Sequence, residues 1–476
     1  MTDKYKIISY TTDGNEYYGG YYDDCSKSIG GSLHIAISCD YGKTYKSLNH
    51  NIGILFAKAD YLENSYDPVA GDETYFKSPA LFKTDDGKFG VISERLYTRN
   101  DKSACDNRLE MYVSDDLIKF DFVGYIEKTD SYSNTENITA EIPNLTKITS
   151  VLSISEKEYK NLCEIYDCAP VCEKIFPSDF IPDRADPCIL LYNDKYYFVA
   201  TKDDGRQDTI YIRSAFSINE LAGAEDVILY RGETVWAPEL HNVNGRLMIF
   251  FANGSNWDKV QSHVMVMDKN GTPESPECWS EPVRIKKKDN INYLMENGIT
   301  LDMTCFEWQG KYYLAWAQRE TYTGLPYTHG SSDICIAEYN PENPYALNGD
   351  VYVISKPEYG WERSMTPVAE GPYTLENNGR LYMTVAVNAT NVSYGIKLLT
   401  LKEGGNPLLA EDWETKGYPV LCTAMNKAEP GPGHSSFLRD KNGDVYLVYH
   451  WGKGGTHRNT TLKKIAFSPD GEPILY

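Results

Sequence analysis

What this chain lacks narrows its function before any motif is read. No apolar run approaches the roughly 18 residues that span a bilayer as a helix, so no membrane helix is expected. There is no basic excess, since 47 Lys and Arg face 68 Asp and Glu, a net charge of −21. Phosphate backbones and anionic lipid surfaces repel such a chain, so neither nucleic acid nor membrane is expected as a partner. The opening Met1-Thr2-Asp3-Lys4-Tyr5-Lys6 has no apolar stretch behind its charges. No secretory signal is read there, and a cytoplasmic location is the expectation. The 11 cysteines fall in no metal spacing; Cys163, Cys168 and Cys172 come nearest, without a second pair or a nearby His. They are expected to be buried free thiols. Helical periodicity is scarce throughout.

What is present describes a large β protein. At 476 residues the chain allows one large domain or two, and 41% hydrophobic with 24% charged residues is enough to fill a core. Tyr is abundant, with 38 copies against 15 Phe. Its amphipathic ring suits half-buried sheet surfaces and polar ligands that stack. One phrase recurs: a tight turn, a basic or acidic residue, then alternating aromatic and aliphatic residues. It runs Asp194-Lys195-Tyr196-Tyr197-Phe198, Gly245-Arg246-Leu247-Met248-Ile249, Gly310-Lys311-Tyr312-Tyr313-Leu314, Gly379-Arg380-Leu381-Tyr382-Met383 and Gly443-Asp444-Val445-Tyr446-Leu447. The starts lie 51, 65, 69 and 64 residues apart. Each is a hairpin signal. Five hairpin units about 60 residues apart describe an all-β, five-bladed β-propeller over about 178–476, whose inner strands converge on one channel. A β-sandwich or irregular solenoid is the competing fold.

Residues 1–175 are expected to form a β-rich accessory module, and 176–476 the propeller domain. Leu33–Ser38, Leu81–Ile92 and Met111–Leu117 look like blade strands, and Ser155 to about Tyr166 reads as a helix.

Three acids stand ahead of repeated hairpins: Asp186 and Asp302 eight residues before the turn, Glu370 nine before. A single acid there is usually a solvated loop residue. Three in three blades would meet at the axis, where like charges raise one another's pKa. Trp236, in Trp236-Ala237-Pro238-Glu239, offers an aromatic platform, and His434, in Gly431-Pro432-Gly433-His434, an imidazole near the same axis.

Together these pieces resemble glycoside hydrolase family 43, the five-bladed propeller enzymes of arabinan and xylan breakdown. Arg184-Ala185-Asp186-Pro187, Trp236-Ala237-Pro238-Glu239, Leu301-Asp302, Glu370-Gly371-Pro372 and Gly431-Pro432-Gly433-His434 occur in family order. The resemblance implies an inverting glycosidase with Asp186 as general base, Glu370 as general acid and Asp302 orienting that acid and raising its pKa. Trp236, Gln318, Arg319 and His434 would contact sugar, with Arg319 able to lower the pKa of Glu370. His434 would also help hold a calcium ion or its waters in the channel; no organic cofactor is implied. At the N-terminus Lys77-Ser78-Pro79 stands where the family's first blade has the base, so no second active site is expected. The implied substrates are arabinose- or xylose-containing oligosaccharides, cleaved by an α-L-arabinofuranosidase. A β-xylosidase, an endo-arabinanase and a fructan hydrolase are alternatives within the enzymes, and a non-catalytic glycan-binding propeller is the alternative outside them. A matched acid and base are what a lectin does not need.

Overall fold

The computed structural model describes residues 3–14, 23–58, 74–97, 108–128, 140–167, 171–321, 329–363 and 367–476. Among these the chain is all-β except for short 3-10 turns and two helices, Asp23–Gly30 and Glu156–Tyr166. The second helix begins where the sequence places it. The Ser155 hydroxyl accepts from the Glu158 N–H and the Glu158 carboxylate accepts from the Ser155 N–H, a reciprocal cap. The helix Asp23–Gly30 carries no such signal. No helix among the described residues is long and apolar enough to cross a membrane.

From Arg184 onward five antiparallel sheets of three to five strands follow in chain order, each beginning with one long strand: Arg184–Tyr192, Thr234–Val243, Gly298–Trp308, Ala369–Asn377 and Gly433–Arg439; a two-stranded pair, Ala466–Phe467 with Pro473–Ile474, comes last. Each first strand turns tightly into its partner. The turn residues Asn193-Asp194, Asn244-Gly245, Gln309-Gly310 and Asn378-Gly379 all have positive φ, the geometry whose twist matches a hairpin. Each first strand touches the first strand of the next sheet, and that of the fifth touches that of the first. The stretch before the first sheet lies on the outer strand of the fifth. Glu173 and Lys464 exchange main-chain hydrogen bonds of 2.9 and 3.0 Å, and Ile181 and Thr460 do the same at 3.1 and 3.0 Å.

The N-terminal residues build two further four-stranded sheets. In one, Lys6–Thr12 lies between His34–Ser38 and Leu145–Ser153; the other is the meander Thr74–Lys83, Phe89–Tyr97, Arg108–Ser114 and Asp121–Glu127. Their packing is invisible in the sequence. One continuous apolar core runs from Ile7, Phe56 and Phe76 to Trp361, in the 3-10 turn Gly360–Glu362, and to Met383 and Val385 of the fourth sheet. A clasp secures the contact. The Gly360 N–H donates to the Ala57 carbonyl at 3.0 Å, and Trp361 Nε1 donates to the Gly417 carbonyl at 2.9 Å. Beside it Lys397 lies 3.3 Å from the fully buried Glu362 and donates to the Lys356 carbonyl at 2.7 Å. A charge this deep is tolerated because it is paired and hydrogen-bonded. The eight cysteines described are free thiols; Cys188, Cys305, Cys335 and Cys422 are buried, but Cys39 is exposed and Cys163, Cys172 and Cys278 only half-buried.

The clasp leaves no room at Gly360, where a Cβ would lie 2.0 Å from the Thr74 carbonyl oxygen. Gly360→Ala is expected to destabilise the protein by about 1–3 kcal/mol, the usual penalty of overpacking. The readout is the thermal midpoint, with Gly223→Ala, whose Cβ meets open space, as the variant that should not move it.

Candidate active site

The site is made by one backbone device repeated in each first strand. The hairpin ladder slips by one residue opposite Asp186-Pro187, Ala237-Pro238, Asp302-Met303, Gly371-Pro372 and His434-Ser435. The first residue of each bulge is left-handed, with φ of 53°, 46°, 54°, 56° and 41°. Bulges re-aim side chains out of the pleat, and the left-handed conformation costs a non-glycine residue about 1–2 kcal/mol. The same bulge occurs in the N-terminal strand Thr74–Lys83, where Ser78 has φ 57° before Pro79. A hydroxyl there replaces the carboxylate.

The bulges bring Asp186, Asp302 and His434 together. His434 Nδ1 lies 3.2 Å from Asp186 Oδ1 and 3.7 Å from Asp302 Oδ2. The Gly371 N–H donates to Asp302 Oδ2 at 3.1 Å, and a Cβ on Gly371 would come within 3.0–3.2 Å of the His434 ring. Thr201 Oγ1 accepts from the Ala237 N–H at 2.7 Å and donates to Asp186 Oδ2 at 2.6 Å. Five bulges are thereby tied into one polar cluster. Glu370 is one residue out of register with the other two acids, because Gly371 and not Glu370 opens its bulge. Its Oε1 accepts from Tyr394 at 2.6 Å, and Tyr394 stacks on His450 with ring centroids 5.6 Å apart. His450 Nδ1 accepts from the Asp186 N–H at 3.1 Å. Arg458 grips the buried Asp203 with Nε at 3.0 Å and Nη2 at 3.2 Å, and reaches Asp186 Oδ1 with Nη1 at 3.3 Å.

These neighbours drive the carboxyls apart in acidity. Burial pushes Asp186 up, but Arg458 and His434 outweigh it and hold its pKa well below the ordinary carboxylate range. Asp302 is raised well above that range by burial, with the charges of Glu370 and Asp186 adding and His434 opposing. Glu370 is also raised, by burial and by Asp186, against the lowering effects of the Tyr394 hydrogen bond, His434 and Arg319. Asp302 and Glu370 bear on each other as like charges, so both carboxyls lie above the ordinary range, and Asp186 adds to the rise of each. Burial lowers His434, but Asp186, Asp302 and Glu370 together raise it above the usual imidazole value. His450 falls to about 4 through burial and the nearby Arg458, which agrees with a neutral ring that accepts from the Asp186 amide.

Glu370, Trp236 and Arg319 line one cavity of about 250 Å³. Trp236 Nε1 is fixed by Gln207 at 2.6 Å. Gln318 is not brought to this cavity; its amide oxygen accepts from Trp316 at 3.2 Å. Thr201, Tyr394, His450 and Arg458 were missed in the sequence. A register count would have reached two of them. Counting on from each turn, the residues paired with the residue just before each bulge are Thr201, Ala252, Ala317, Ala386 and His450, three small residues and two polar ones. Tyr394 and Arg458 carry no repeated signal.

Thr201 supplies a test of the electrostatics. Thr201→Val removes a donor to the charged form of Asp186, worth about 1.5–3 kcal/mol, so the pKa of Asp186 should rise by roughly one to two units. A folded-state pKa held low gives an acid limb that lies at low pH. The acid limb of kcat/KM is therefore expected to move upward in the variant, with the alkaline limb unmoved, in pH profiles of both proteins.

Comparison with known proteins places the chain in a family. The family model for glycosyl hydrolases family 43 matches residues 180–473. An extracellular exo-α-(1→5)-L-arabinofuranosidase of Streptomyces chartreusis is 30% identical over 285 residues, 58% of this chain and 82% of that protein. α-L-Arabinofuranosidase 43 of Humicola insolens is 30% identical over 321 residues, 63% of this chain and 62% of that one. Among solved structures, an α-L-arabinofuranosidase from Lactobacillus brevis superposes with a TM-score of 0.56 at 30% identity, over 63% of this chain and 96% of that chain. Because the family model spans more than half of the chain, the protein belongs to glycosyl hydrolases family 43.

Proposed function

We propose that the protein is an inverting α-L-arabinofuranosidase that removes terminal arabinose from arabinose-containing oligosaccharides, on a five-bladed propeller formed by residues 176–476. The observation that carries the chemistry is the pair of carboxyls on separate strands with opposite acidities, Asp186 held ionised and Glu370 held toward its protonated form. The sugar class rests on relatives at 30% identity that are named arabinofuranosidases. In support of the propeller, five first strands contact one another in order and back to the start. The entering stretch 173–181 also pairs with the last sheet, tying the two ends of the ring. Residues 1–175 then form an accessory module packed behind the blade that bears Glu370.

In this mechanism water attacks the anomeric carbon while the glycosidic C–O bond breaks. Asp186 takes the proton of the water and Glu370 gives its proton to the leaving oxygen, a single displacement through an oxocarbenium-like transition state. Arg458, His434 and Thr201 hold Asp186 ionised and in one orientation. Asp302, tied to the Gly371 amide, and Tyr394, bonded to Glu370, place the acid. Two carboxyls and water require no organic cofactor. Calcium fits only indirectly. No cluster of three or more metal-binding side chains exists among the described residues, and one imidazole is a poor site for a cation that prefers oxygen ligands. His434 Nε2 is nevertheless buried with no hydrogen-bond partner. It fits a water, through which a calcium ion in the channel would be held.

Two experiments test the assignment. Glu370→Gln should lower kcat on arabino-oligosaccharides by about 10²–10⁴-fold and spare aryl arabinofuranosides with good leaving groups, which need no protonation; equal losses on both would remove Glu370 from the acid role. NMR of the first sugar released from an α-L-arabinofuranoside should show the β anomer before mutarotation. The α anomer would mean a covalent intermediate on Asp186, and hydrolysis of aryl xyloside alone would replace the sugar with xylose.

A further inference from the structure

Between the strands Lys195–Lys202 and Thr209–Ala215 of the first sheet, one short turn reaches both the base and the cavity. Asp203 in that turn is fully buried and receives three hydrogen bonds from Arg458. The Arg458 main-chain N–H at 2.9 Å and Nε at 3.0 Å donate to Oδ2, and Nη2 donates to Oδ1 at 3.2 Å. Four residues on, Gln207 donates from Nε2 to Asp203 Oδ1 at 2.8 Å and accepts on Oε1 from Trp236 Nε1 at 2.6 Å. The Val235 N–H donates to the Gln207 carbonyl at 2.7 Å, so main chain and side chain of Gln207 hold adjacent residues of the second sheet. With Arg458 Nη1 at 3.3 Å from Asp186 Oδ1, bonds run without a break from Asp186 through Arg458, Asp203 and Gln207 to Trp236. They lie beside the shorter route through Thr201, which bonds Asp186 and the Ala237 amide.

The two ends of Gln207 fix its direction. Asp203 already receives from arginine on both oxygens and so only accepts, while an indole N–H only donates. A glutamine carries one donor and one acceptor on a single plane, and here the amide fits one way round: nitrogen to Asp203, oxygen to Trp236. Trp236 is half-buried in the cavity wall with Glu370, where an indole N–H without a partner is costly. We infer that Gln207 is a positioning residue for Trp236, with its amide direction imposed by Asp203. The carboxylate that anchors Arg458 against the base therefore also sets the ring that faces the sugar. Binding and base are aligned through one buried group.

The use of that ring rests on the arabinofuranosidase proposal, and two readouts keep the two apart. Gln207→Glu preserves shape, but once ionised it has no donor for Asp203. Only its neutral acid fits, and the like charge of Asp203 raises its pKa. The other charged groups around this turn are engaged elsewhere or exposed: Asp208 with Thr209 at 2.6 Å, Asp204 with Lys202 at 3.2 Å, His457 with Asp183 at 2.8 Å, and Arg206 in solvent. On nitrophenyl α-L-arabinofuranoside, KM of Gln207→Glu relative to wild type should be near one at about pH 5 and rise about three- to tenfold toward about pH 8, the worth of one hydrogen bond, with kcat unchanged. Gln207→Met, of similar length and without either bond, should show the higher ratio at every pH. The indole N–H of Trp236 is read by NMR in full-length protein with isotope-labelled tryptophan, without substrate, and identified by its loss in Trp236→Phe. It should move with pH in Gln207→Glu over the same range and stay fixed in wild type. A KM ratio independent of pH in Gln207→Glu, or an indole signal that does not move, overturns the inference. So does a loss confined to kcat, which would place the effect of Gln207 on the base through Arg458. A wild-type enzyme that cleaves no arabinofuranoside refutes the arabinofuranosidase proposal alone, and the indole signal then decides Gln207 without it.

Discussion

Everything in the site depends on a left-handed residue at the same point of five inner strands. A regular strand sends alternate side chains to opposite faces, so no unbroken ladder could aim Asp186, Asp302 and His434 at one another. The bulge removes that restriction at the expense of about 1–2 kcal/mol for each non-glycine residue in the left-handed region. Proline in the second position at 187, 238 and 372 suits a strand that has already given up a ladder bond there. Where the side chain would crowd the cluster, the residue is Gly371, which leaves the imidazole of His434 its space. Strain stored this way persists because the flanking hairpins over-determine the backbone.

Charge completes what the bulges begin. Three carboxyls sharing a buried volume could not all ionise, and the fold resolves this with two basic side chains, His434 and Arg458, placed asymmetrically. Arg458 contacts Asp186 and is itself neutralised by Asp203, so Asp186 receives a directed hydrogen bond and the wider site receives little net charge. Glu370 and Asp302 gain less and stay closer to neutral. One environment thus yields a base and an acid from the same chemical group, a division set by position and not by residue type.

The N-terminal residues bear on this indirectly. Their core is continuous with that of the fourth sheet, and the carbonyl of Trp361, in the clasp, accepts from the side chain of Asn388, which lines the cavity with Glu370. The strand carrying the acid is therefore packed from behind by residues outside the matched family region. Ser78 in the sixth bulge shows the same backbone device without its chemistry.

What could be read from the residues was whatever local physics repeats. Turn pairs such as Asn244-Gly245 and Asn378-Gly379 demand positive φ and announce hairpins. Five such signals in order, each preceded by a polar residue and often by proline, located Asp186, Asp302, Glu370 and His434. The cap at Ser155 announced a helix for the same local reason. Contacts between strands far apart in sequence had no such signature. Arg458 meets Asp186 and Asp203 across more than 250 residues, and Tyr394 meets Glu370 from the turn that leads into Gly395–Leu401. The one-residue offset of Glu370 appeared only once the ladder register was seen. Gln318, which the family resemblance put among the sugar contacts, has its amide oxygen bonded to Trp316, a contact the sequence did not announce. Composition and turns determined which chemistry the chain could hold; burial and the convergence of separate strands decided which carboxyl keeps its proton, because acidity depends on neighbours that only tertiary structure supplies.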